Sequence, residues 1–74
     1  MDNNKIVVGN VEITSDGIVL ICGEPYCDLW RVKQFIGGTW STIESEMYIR
    51  TFLRFGEEVA KNFLDALRKW LESL

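Results

Sequence analysis

Apolar and polar positions alternate in two different ways along this chain. In the last stretch, "GEEVAKNFLDALRKWLESL", the apolar residues Val59, Phe63, Ala66, Leu67, Trp70, Leu71 and Leu74 recur every three or four positions. They fall on one face of a helix, with Lys61, Asp65, Arg68, Lys69 and Glu72 on the other. Gly56 is an acceptable N-cap, and Glu57 and Glu58 suit the positive end of the helix dipole. Arg68 and Lys69 suit the later turns, and Asp65 with Lys69 makes a favourably oriented ion pair one turn apart. The pattern predicts a helix over 57–72.

The front third follows the period of two that marks strands. "KIVV", "VEIT" and "IVLIC" are rich in β-branched residues and are separated by Gly9-Asn10 and by Ser15-Asp16-Gly17. Asp-Gly is a hairpin signal because glycine supplies the positive φ that the turn requires. Gly9-Asn10 is either a second two-residue turn or a bulge in one long strand from Lys5 to Thr14. Val11 and Ile13 point inward, Glu12 and Thr14 outward. "IVLIC" does not alternate, which predicts a central strand covered on both faces.

The middle admits two readings. In "DLWRVKQFIGG", Asp28 would cap a helix whose Leu29, Val32, Phe35 and Ile36 share a face ending at Gly37. Alternatively, a strand over 29–36 turns at Gly37-Gly38 and returns as "TWSTI". Eight residues make a short helix and Trp, Val, Phe and Ile favour the pleat, so the hairpin is preferred. Next comes "MYIRTFLRF". A helix from Ser41 has a capping box with Glu44, but its apolar residues go nearly all round the cylinder. As a strand, Met47, Ile49, Thr51, Leu53 and Phe55 make one face and Tyr48, Arg50, Phe52 and Arg54 the other. The strand separates the arginines from an apolar face and is preferred.

These elements predict a single α+β domain over 1–74. An antiparallel sheet of four or five strands, drawn from 5–55, carries one amphipathic C-terminal helix packed across it. That element order is similar to the small dimeric single-strand-binding transcriptional coactivators, a likeness of topology that carries no motif and transfers no residue.

Length makes a partner expected. A chain of 74 residues hides only about 60 % of its unfolded surface, and proteins of this size often add disulfides, a metal or a second subunit. With 47 % hydrophobic residues and nine aromatics it has the material of a core, and disorder is expected only in "MDNN". There is no histidine, which removes the commonest general base, the Ser-His and Cys-His pairs and most zinc arrangements. Cys22 and Cys27 are too few for a disulfide scaffold, and four thiolates would require two chains. No basic region precedes an apolar core at the start, and no apolar run approaches the ~20 residues of a membrane span. A cytoplasmic protein with no membrane contact is expected.

Charge sharpens the picture in one place. The net charge is −3, but residues 29–55 hold Arg31, Lys33, Arg50 and Arg54 against only Glu44 and Glu46. Six of the nine aromatics lie there too. On the strand reading, Arg31, Lys33, Tyr48, Arg50, Phe52 and Arg54 form a cationic and aromatic sheet face. Single-stranded nucleic acid is bound by such faces, because bases stack on rings and phosphates pair with guanidinium. Solvated strand faces carry arginine routinely, however, and an acidic chain is poorly suited to non-specific binding. Glu57-Glu58 read as a helix start, and Gly37-Gly38 lacks the lysine and spacing of a phosphate loop. No catalytic, metal-binding or cofactor-binding group of residues emerges. The expected function is therefore non-enzymatic: a small homodimeric interaction or regulatory protein that binds another protein, with nucleic-acid binding as the alternative. Phe63, Leu67, Trp70 and Leu74 are the residues expected at a dimer or partner interface.

Overall fold

The computed structural model describes residues 5–74; the disorder expected for 1–4 lies outside the described residues. Four strands form a meander: β1 (Ile6–Val8), β2 (Val11–Ile13), β3 (Ile18–Ile21) and β4 (Glu24–Asp28). They pair antiparallel in chain order. Gly9 and Gly17 take positive φ at the first two turns, so Gly9-Asn10 is a turn and not a bulge. The third turn is made by Cys22 and Gly23, also at positive φ. Three helices follow: α1 (Leu29–Ile36), α2 (Trp40–Phe55) and α3 (Glu57–Glu72).

The α+β class and the antiparallel sheet stand, and α3 has the span expected of it. The stretch from Leu29 to Phe55 is corrected: it is two helices, not a hairpin and a further strand. The chain ends that open and close these helices explain why. The Asp28 carboxylate accepts from the Trp30 and Arg31 amides at 3.0 and 3.4 Å, so β4 runs directly into a capped helix. Gly37, at φ 71°, closes α1 in the left-handed conformation, its amide donating to the Lys33 carbonyl. Thr39, not Ser41, caps α2 by accepting from the Thr42 amide. With one strand order replaced by strand–helix–helix–helix, the likeness to the single-strand-binding coactivators lapses.

The fourth strand uses residues read from sequence as a loop. "EPYCD" pairs with β3, and Pro25 is tolerated because β4 is a sheet edge. The register shifts between Val19 and Leu20, which bulges Tyr26 out of the ladder. Its ring turns towards the helices instead, edge-on to Phe55 and Phe63 at 5.4 and 6.5 Å.

One face of the sheet supplies the core. Val11, Ile13, Val19 and Ile21 are buried there with Ala60, Phe63, Ala66, Leu67 and Trp70 of α3. Ile43, Met47 and Thr51 of α2 and Leu29 of α1 complete it. The other face carries Val7, Glu12, Ile18 and Leu20, which are exposed or half-buried. The strand "IVLI" is therefore buried on one side only, against the expectation of cover on both.

Candidate interaction site

Helical geometry redistributes the residues that a strand would have aligned. At 100° per residue, Tyr48 and Phe52 lie on one flank of α2 and Arg50 and Arg54 on the opposite flank. Tyr48 and Phe52 are ring neighbours at 6.1 Å. Arg54 instead covers the Phe55 and Tyr26 rings, at 5.2 and 5.7 Å. Lys33 lies over Trp40 at 4.9 Å and over Trp30 at 6.0 Å. Arg31 sits two residues away, on a different side of α1. The six residues expected on one nucleic-acid-binding face are thus dispersed over two helices, and two of the four cations, Lys33 and Arg54, lie over local rings.

The residues assigned to a partner interface are also redistributed. Phe63, Leu67 and Trp70 are buried in the chain's own core, because the sheet and α2 together cover the whole apolar arc of α3. Leu74 alone of the four is exposed.

What lies open is a different set. Ile49 is 56 %, Phe52 44 % and Leu53 78 % exposed, and they share the outer face of α2. The strand reading places Ile49 and Leu53 on its apolar face, beside Met47, Thr51 and Phe55. The signal that would have found them was present: an apolar pattern running all round a helix means a second face needing cover. That same pattern is what favours the strand over the helix when the sequence is read alone. In the fold the wheel divides into an inner stripe, Ile43–Met47–Thr51, and an outer stripe, Ile49–Phe52–Leu53.

Beside that stripe, where α1 meets β4 and α2, a groove of about 290 Å³ opens to solvent. Cys27, Asp28, Arg31, Val32, Phe35 and Arg50 line it. Phe35 stands on its rim, 81 % exposed. Burial pushes the Cys27 thiol up to about 12, with the Asp28 charge adding to the effect and Arg50 opposing it. A thiol held neutral in this way is a floor, not a nucleophile. Cys22 is exposed at the β3–β4 turn, and both cysteines are free. Among the described residues no three His, Cys, Asp or Glu side chains cluster as metal ligands. No helix of these residues is long and apolar enough to cross a membrane.

Among the described residues one surface ion pair ties two helices together, and another lies within α2. Arg68 of α3 meets Glu44 of α2 at 3.4 Å. Arg50 and Glu46 pair along α2 at 3.7 Å, both half-exposed. Comparison with known proteins returns no likeness: no family model, no curated protein and no solved structure matches the chain.

Proposed function

We propose that this chain is a non-enzymatic interaction protein that works as a homodimer and binds another protein. The observation that carries the reading is the outer stripe of α2. Three large apolar side chains on two successive turns, all substantially exposed, are more than a solvated helix face needs.

The spacing of that stripe suits a second copy. Thr42, Ser45, Ile49, Phe52 and Gly56 follow one another at three- and four-residue steps, the seam of a short coiled coil. Its large residues lie in the C-terminal half and its small ones in the N-terminal half. Two copies of α2 running antiparallel about Ile49 bring Phe52 and Leu53 of each to the level of Ser45 of the other, with Gly56 opposite Thr42. A two-fold contact of this kind is self-complementary, and it adds the buried area that a 74-residue chain lacks. Specific interfaces bury about 600–1,000 Å² per partner, so the pairing must run the length of α2 and include the flank that carries Tyr48 and Phe52.

Sedimentation at increasing protein concentration tests this, with the wild type set beside Leu53→Glu and Ile49→Glu. The reading expects dimers for the wild type and monomers for both variants, with helical content unchanged. A wild type that stays monomeric at every accessible concentration would remove the dimer.

A further inference from the structure

We propose that the groove between α1, β4 and α2 receives a short acidic and apolar segment of the partner protein. A bulky apolar side chain of that segment packs on Val32 and Phe35, and a neighbouring carboxylate lies between Arg31 and Arg50. This rests on the reading of the chain as a protein-binding module, and it names where the partner sits and which chemistry it brings.

Three observations carry it. The first is the rim: Phe35 is more exposed than any other large apolar side chain among the described residues, yet it borders a groove rather than flat surface. The second is the charge of the lining. Of its three ionised groups, Asp28 is already engaged, since its carboxylate accepts from the first amides of α1. Arg31 has no ion pair among the described residues. Arg50 has only the long, half-exposed contact with Glu46, a kind of pair that is worth little and is easily exchanged. Two guanidinium forks are therefore open to a carboxylate, the group they bind in two-pronged geometry. An incoming cation, by contrast, would find both forks against it.

The third is size. The groove is about 290 Å³ and open. Sites that hold free small molecules enclose most of the ligand surface, and this one cannot. A peptide needs only one or two side chains inserted while its backbone remains outside, as in helix-in-groove recognition. The groove also lies on the flank of α2 that carries Arg50, away from the Phe52 flank of the outer stripe. Self-pairing and partner binding can therefore occur together.

The test is selection of a displayed random dodecapeptide library on the wild-type protein, followed by fluorescence anisotropy of the enriched peptides. Enriched sequences are expected to place Asp or Glu close to a Leu, Ile, Phe or Trp. Phe35→Ser and Arg31→Glu change exposed side chains, so both variants keep the fold. Each is expected to weaken binding roughly tenfold or more, the loss typical of an interface anchor. Changing the peptide's acid to Lys should restore affinity for Arg31→Glu alone. Enrichment of basic or uncharged peptides, or peptides indifferent to both variants, would overturn the acidic groove while leaving protein binding intact. Failure to enrich any peptide would overturn the groove and leave the dimer to the sedimentation result. Octanoate competing as well as the best peptide would reassign the site to a free acid.

Discussion

Helices α1 and α2 begin and end in opposite circumstances. At their N-terminal ends, Trp30 and Trp40 meet Trp70 of α3, and all three rings stand edge-on to one another at 5.4–5.5 Å. Gly17 presses against this clasp so closely that an added Cβ would lie 3.1 Å from Trp30 and 3.2 Å from Trp70. At their C-terminal ends stand Phe35 on one helix and Ile49, Phe52 and Leu53 on the other, all exposed. Residues of similar hydrophobicity thus serve two purposes. Edge-to-face rings close one end of the helical layer and fix its position on the sheet. The other end carries exposed apolar side chains, the kind of patch that marks an interaction surface.

The comparison breaks most sharply at Trp70, which is 1 % exposed and touches both other tryptophans. Trp70→Ala should lower unfolding free energy by about 3–5 kcal/mol, the range for a large buried aromatic. A domain of this size has about that much to lose, so the variant should be largely unfolded in circular dichroism. Its indole N–H is buried and meets no acceptor among the described residues. Trp70→Phe removes that unsatisfied donor along with some area, so it should cost much less than the alanine. Equal losses for the two variants would mean that packing area alone matters there.

Gly17→Ala should come next. The new methyl meets the clasp, and the backbone holds φ at 89°, where side chains are strained. About 1–3 kcal/mol is expected in urea titration. A smaller loss would show that the Trp30 ring swings away, which a shift in tryptophan emission would report.

Cys27 gives a pH-dependent term of known sign. Its thiol is raised in the fold from 9.0 to about 12, so the unfolded chain releases this proton first as pH rises. The contribution is intact below about pH 9 and is lost between 9 and 12. Stability should fall across that window, and less steeply in Cys27→Ala. Parallel profiles for the two proteins would show that other groups dominate.

What sequence reveals about this molecule depends on how much each element relies on its own residues. The span 57–72 was legible because one stripe, one acidic start and one basic end agree, and the structure needs nothing further to form it. The first three strands were legible for the same reason, with Gly9 and Gly17 at the turns that demand them. Pro25 and two charges hid β4, which exists because β3 offers it an edge. Side-chain preference hides α1, although Asp28 and Gly37 mark its two ends. α2 was hidden by its outer stripe: judged by a single buried face, that stripe looks like an error in a helix. The groove draws on three elements, none of which has its true form in the sequence reading, so Arg31 and Arg50 could be singled out as residues but not brought together with Phe35.

The smallest expected effect is the one that separates the two exposed surfaces of the open end. Leu53 is 78 % and Phe35 81 % exposed, so removing either side chain takes almost nothing from the core. Leu53→Gln and Phe35→Ser should each change monomer stability by no more than about 0.5 kcal/mol, the usual range for surface substitutions. If α2 pairs with its copy, however, apparent stability of the wild type must rise with protein concentration, because association draws on the folded state. Leu53→Gln should flatten that dependence and Phe35→Ser should leave it in place, since the two side chains serve different surfaces. Denaturation midpoints at low and high concentration for three proteins are enough to decide. If both variants flatten the curve, Phe35 belongs to the dimer and the groove is part of that interface. If neither does, the outer stripe is not where copies meet.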